Sequence, residues 1–106
     1  MSGSIIEWAP IRLAEGKTEA DLLAASAKFQ KEFLDSQPGF LRRELLRLAE
    51  GRYADIVHWR TMADAEAIMA KAPSSPACLA YFATMELNPD NIAEGVEHYH
   101  SLAVYG

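Results

Sequence analysis

This chain is poor in several residue types, and each shortage closes off a class of chemistry. A single cysteine, Cys78, stands among 106 residues, so an intrachain disulfide cannot form and a Cys-rich metal centre cannot be assembled. Basic residues are also scarce: ten Lys and Arg against fifteen Asp and Glu give a net charge of −5, and Arg42, Arg43 and Arg47 are the densest basic group. The positive footprint that meets a phosphate backbone is missing, so DNA and RNA are not expected partners. No apolar run approaches the roughly 18 residues of a membrane span. The opening Met1-Ser2-Gly3-Ser4 lacks the basic and apolar segments of a leader, so a cytoplasmic location without a membrane partner is expected. Neither an HExxH pattern nor a nucleotide-binding motif occurs, and no metal or cofactor is expected.

What remains is the composition of a folded domain. Half of the residues are apolar and 24% are charged, which suits one compact core spanning residues 1–106. Thr18-Glu19-Ala20-Asp21 and Thr61-Met62-Ala63-Asp64 share one form, a strand-like run closing into an alanine-rich helical run. In each, the Thr hydroxyl can accept from free N–H groups of the first turn, and the Asp three residues on suits the positive end of the helix.

Along the chain, Ile5 to Leu13 is rich in β-branched and aromatic types and reads as a strand, with Pro10 predicting a bulge or an interrupted ladder. Glu19 to about Ser36 is helical, with Leu22, Leu23, Ser26, Ala27, Phe29, Gln30, Phe33 and Leu34 on one broad stripe. Pro38-Gly39 ends it. Phe40 to Ala49 and Tyr53 to Arg60 form a predicted antiparallel hairpin around Glu50-Gly51-Arg52. A second helix follows Thr61 to about Ala72, and a short third one starts where Ser75 can cap and Pro76 can take the first helical position. Glu94 to Tyr105 alternates like a last strand. The order βαββαβ, with one extra helical turn, is the ferredoxin-like α+β plan with an antiparallel sheet. Its third strand carries apolar groups on both faces, Tyr53, Val57 and Trp59 on one and Ala54 and Ile56 on the other. The sheet face away from the helices therefore calls for a cover, and a second copy of the same sheet predicts a face-to-face homodimer.

The run Asp55-Ile56-Val57-His58-Trp59-Arg60-Thr61 with Ala63-Asp64-Ala65-Glu66-Ala67, the turn Pro38-Gly39-Phe40 and the charged Arg42-Arg43-Glu44-Leu45 resemble the dimeric α+β barrel proteins, the antibiotic biosynthesis monooxygenase-like group in particular. That resemblance implies a dimeric α+β barrel. As activity it implies a cofactor-independent monooxygenase acting on a small aromatic or quinone-like molecule, in which a base removes a phenolic proton and the substrate anion reacts with oxygen. A different class is implied by the same superfamily: a non-catalytic small-molecule-binding or stress-response protein. Relatives that degrade haem resemble one another in a first-strand Asn and a late-helix His; Glu7, Trp8 and Pro76 to Phe82 do not follow them.

The candidate bases are His58, His98 and His100, since imidazole titrates near neutral pH. His98 and His100 are two apart on a strand and share a face with Val96 and Leu102. The alternative is that the histidines are inert at a sheet edge or a dimer seam. Trp8, Gln30, Trp59, Tyr81 and Phe82 are the candidate substrate contacts, with Met62, Met69 and Met85 as adaptable apolar wall. The competing reading makes the aromatic groups ordinary core. With the first strand between the third and fourth, Trp8 neighbours either His58 or the His98/His100 pair, depending on register. Cys78 has no nearby basic residue to activate it as a nucleophile.

Overall fold

In the computed structural model, which describes residues 3–49 and 51–106, the elements run β1 (Ile5–Arg12), α1 (Glu19–Glu32), β2 (Phe40–Ala49), β3 (Arg52–Trp59), α2 (Met62–Lys71), α3 (Pro76–Phe82) and β4 (Glu97–His100). The sheet is antiparallel in the order β2-β3-β1-β4, the ferredoxin-like arrangement expected from the element order. No helix among the described residues is long and apolar enough to cross a membrane.

Both Thr caps form, but they differ. At α1 the capping box is complete: the Asp21 N–H donates to Thr18 Oγ1 at 3.2 Å and the Thr18 N–H donates to Asp21 Oδ2 at 2.8 Å. At α2 the Asp64 N–H donates to Thr61 Oγ1 at 3.1 Å, with no reciprocal bond from the Thr61 N–H to the Asp64 carboxylate. That carboxylate instead packs on Gly39, where a Cβ would sit 2.0 Å from Asp64 Oδ2. Gly39 has φ +77° and its carbonyl accepts from the Arg60 N–H at 2.8 Å. Only glycine meets both requirements, a left-handed backbone and a neighbour in its Cβ space.

Four sequence expectations are corrected in detail. Pro10 causes no bulge, because the ladder to β3 runs unbroken from Ile5↔Trp59 to Arg12↔Arg52. Pairing with β4 ends at Trp8, two residues before this residue that has no N–H to give. The strand expected over Glu94 to Tyr105 shrinks to Glu97–His100: Gly95 turns at φ +82°, and past Ile5↔His100 the pairing ends in two backbone bonds of Ser101, to the Ser4 carbonyl at 2.9 Å and from the Gly3 N–H at 3.0 Å. The first helix stops at Glu32, Leu34–Ser36 tightening into a 3₁₀ turn. Leu23 and Ala27 are exposed, so the buried stripe of α1 is narrower, on Leu22, Ser26 and Phe29. Glu50, in the expected hairpin turn, lies outside the described residues, as do Met1 and Ser2.

Register sorts the sheet side chains into two faces. Glu7, Val57 and His98 stand in one row, as do Ile5, Trp59 and His100; Asp55 and Arg43 share this face, which the helices cover. There Leu22, Phe29 and Leu34 of α1 and its following turn pack with Ile11, Val57, Trp59 and Tyr81 into one core. α1 lies along α3, Phe29 stacking on Tyr81 at 4.7 Å between ring centroids, and α2 crosses β1 and β3. The other face carries Ile6, Trp8, Leu46, Ile56 and His58, all half-buried without any helix over them.

Candidate active site

Two polar constellations lie on the helix-covered face. The first is closed. Arg43 from β2 reaches under α1 with its side chain 6% exposed and pairs with Asp55, 7% exposed, at 2.9 Å. Its Nη2 donates to the carbonyl and hydroxyl of Ser26 at 2.9 and 2.6 Å, and its Nε donates to Gln30 Oε1 at 3.0 Å. Tyr81 donates to Asp55 Oδ2 at 2.8 Å and accepts from Arg43 Nη1 at 3.2 Å. The guanidinium also stands 5.2 Å from the Phe29 ring centroid and 5.5 Å from that of Tyr81. Every strong group is therefore partnered, as a buried charge in low dielectric must be. Desolvation raises the Asp55 pKa against the lowering effect of Arg43, and burial with the Asp55 charge raises that of the Tyr81 phenol.

The second constellation is open. Between the sheet, α2, α3 and the segment 86–96 lies a cavity of 310 Å³, floored by Glu7, Ala9, Ile11, Asp55, Val57 and Trp59. Phe29, Ile68, Tyr81, Phe82 and Met85 form its apolar walls, and Asn91, Ile92 and Val96 lie on its outer side. Segment 86–96 is led there by the Leu13↔Met85 bridge and by the Glu86 N–H, which donates to the Arg12 carbonyl at 2.8 Å. The volume falls at the lower end of small-molecule pockets, roughly 300–1,000 Å³. On its floor Glu7 Oε1 and His98 Nε2 are 3.1 Å apart. Burial raises the Glu7 pKa, while His98 and, more weakly, the Trp59 indole pull it down. Trp59 is 1% exposed, yet its Nε1 is the buried side-chain atom without a hydrogen-bond partner among the described residues.

Each candidate from the sequence has a definite place. His98, Trp59, Tyr81 and Phe82 line the cavity. His58 and Trp8 stand on the opposite sheet face; Trp8 pairs with Ile56 and Glu97, and His58 with Ile6 and Arg42. Burial, then the Arg42 charge, lowers the His58 pKa. His100 shares the His98 face but is exposed at the end of the sheet, opposite Ile5. Gln30 belongs to the Arg43 network and also donates to Asp35 at 2.7 Å. Cys78 is buried and its thiol pKa is raised by that burial. Three groups escape sequence reasoning: Glu7, Arg43 and Asp55. The sign for Asp55 and Arg43 was a charge on the inward side of adjacent strands; Glu7 needed the β1–β4 register to meet His98. Among the described residues no group of three metal-ligating side chains occurs.

Solved structures with the same architecture include a cofactor-independent oxygenase and proteins provisionally assigned as antibiotic biosynthesis monooxygenases. SnoaB from Streptomyces nogalater, a cofactor-independent oxygenase, superposes with a TM-score of 0.68 at 20% identity over 99% of this chain and 97% of its own. A protein from Bordetella bronchiseptica, provisionally assigned as an antibiotic biosynthesis monooxygenase, has a TM-score of 0.61 at 25% identity, covering 97% of this chain and 99% of that one. Another with the same provisional assignment, from Caulobacter crescentus, gives 0.65 at 18% identity over 96% and 92%. No protein-family model matches the sequence. No curated protein matches it. The fold is that of the antibiotic biosynthesis monooxygenase-like α+β proteins.

Proposed function

We propose that this protein is a cofactor-independent, monooxygenase-like enzyme acting on a small aromatic or quinone-like molecule held in the cavity between sheet and helices. The observation that carries the reading is the Glu7–His98 pair on the floor of an apolar cavity beside the unpartnered Trp59 N–H. Such a pair suits general-base work, because the carboxylate orients the imidazole toward a substrate proton. The pair takes the proton of a substrate enol or phenol; the resulting carbanion-like ring carbon bonds to O₂. The peroxide then takes a proton and loses water as its O–O bond and the remaining C–H bond break, leaving a ketone. The electrons come from the substrate, so one O₂ gives one product oxygen and one water. The Trp59 N–H is suited to the oxygen that gains charge.

The fold of SnoaB and its neighbours supports this reading at the level of kind. The open sheet face, with Ile6, Trp8, Leu46 and Ile56 at its centre, fits a second copy of the chain, and a homodimer completes the proposal. A non-catalytic binder using the same cavity is the competing reading, favoured by the internal saturation of Arg43, Asp55 and Tyr81. Oxygen uptake with 1,8-dihydroxyanthrone separates the two. We expect uptake above the uncatalysed rate, matched one to one by the anthraquinone product, and a fall of about 10²-fold or more in kcat for His98→Ala. Binding without any enzyme-dependent uptake, or an undiminished His98→Ala variant, overturns the enzymatic reading.

A further inference from the structure

The polar lining of the cavity is one-sided. Glu7 and Asp55 stand on its floor and Glu66, Glu86 and Glu94 around it, while no Lys or Arg lines it among the described residues. Arg43 lies behind Asp55, with its donors committed to Asp55, Ser26, Gln30 and Tyr81. Asp55 is equally committed, one oxygen to Arg43 and the other to Tyr81. Two capacities remain for a ligand. The Trp59 N–H, fully buried, completes no well-formed hydrogen bond, although its indole faces the Glu7 carboxyl closely enough to lower that group's pKa. Glu7 meets His98 through Oε1, and its carboxylate, which the Trp59 indole also faces, has lone pairs beyond that contact. An unmet buried donor is costly to leave, and here it stands beside an acceptor with spare capacity.

Resting on the reading above, we propose that the cavity is specific for an uncharged aromatic hydroxy-ketone, its carbonyl accepting from Trp59 and its hydroxyl donating to Glu7, and that it rejects anions. A carboxylate or sulfonate on the ring meets like charge in a low-dielectric space with no Lys or Arg to neutralise it, and must leave its water behind. The substrate thus enters as the neutral phenol and ionises only inside, where the Glu7–His98 pair receives the proton. A tertiary-amine substituent directed to the mouth is tolerated, because Glu66, Glu86 and Glu94 surround it there.

The test is a binding titration of the full chain, read by quenching of intrinsic tryptophan fluorescence and confirmed by calorimetry. The probes are 5-hydroxy-1,4-naphthoquinone, its ring-sulfonated derivative and a dimethylaminomethyl derivative. We expect the sulfonate to bind at least tenfold more weakly than the parent, and the amine to bind as well as the parent. Glu7→Gln should narrow the parent-to-sulfonate ratio several-fold, and Trp59→Phe should weaken the parent about tenfold while leaving 1,4-dimethylnaphthalene, which has no carbonyl, unchanged by calorimetry. Equal affinity for parent and sulfonate, or a ratio unmoved by Glu7→Gln, overturns the charge selection. The same outcome leaves oxygen uptake with the neutral anthrone intact, so the failure of this proposal is separable from failure of the enzymatic reading.

Discussion

Replacing Arg43 by Met tests the central claim about the closed network. Met keeps an unbranched apolar side chain against Phe29 and Tyr81 but removes the donors that hold Asp55, Tyr81, Ser26 and Gln30. Asp55 is then a buried carboxylate without its cation, and breaking a buried pair from one side costs about 3–5 kcal/mol. For a domain of this size the melting midpoint falls by roughly 12 °C or more. Adding Asp55→Asn removes the stranded charge while leaving an acceptor for Tyr81, so the double variant should regain at least ~1.5 kcal/mol over Arg43→Met. The pH arm has a definite sign. Without Arg43 the Asp55 pKa rises further, so the native state binds that proton more tightly than the unfolded chain. The deficit of Arg43→Met is then smallest in acid and grows as pH rises through the raised value. Thermal and urea unfolding at fixed protein concentration, at about pH 5 and pH 8, provide the measurement. A loss under about 1 kcal/mol, or a double variant less stable than Arg43→Met, would refute the reasoning.

Gly39→Ala should cost about 1–3 kcal/mol in urea unfolding, because φ +77° is strained for an L-residue and the new Cβ meets the Asp64 carboxylate. Thr18→Ala should lower stability by about 1 kcal/mol, and Thr61→Ala by less, since only α1 has the complete capping box; thermal melts of both variants compare them directly. Glu7 has a raised native pKa, so its contribution to stability is present on the acid side and is lost as pH rises through that value; Glu7→Gln should flatten this part of the stability–pH curve, and an unchanged slope would count against burial as the cause. Trp8→Asp on the open sheet face should convert the proposed homodimer to monomer in light-scattering measurements, and a dimer that persists would move the interface elsewhere.

Local signals in the chain were enough for the elements. The Thr caps, Pro76 at a helix start, Pro38-Gly39 as a stop and the period-two runs act within a few residues, so they can be read without knowing what packs on what. They led to the ferredoxin-like plan and to the presence of His98, Trp59, Tyr81 and Phe82 as notable side chains. Where a local rule met a tertiary demand, the demand decided. Pro10 disturbs nothing because its second neighbour strand ends first, the Asp64 carboxylate packs on Gly39 in place of closing a capping box, and the last strand begins only after the turn at Gly95. The two polar sites belong wholly to the tertiary structure. Glu7 and His98 are separated by most of the chain and meet only through the β1–β4 register, while alternation along β1 and β3 puts Trp8 and His58 on the other face. Arg43 and Asp55 become a buried pair only because α1 and α3 close over that side of the sheet. A sequence records which charges exist, but burial and register decide which of them meet and which of them face a cavity.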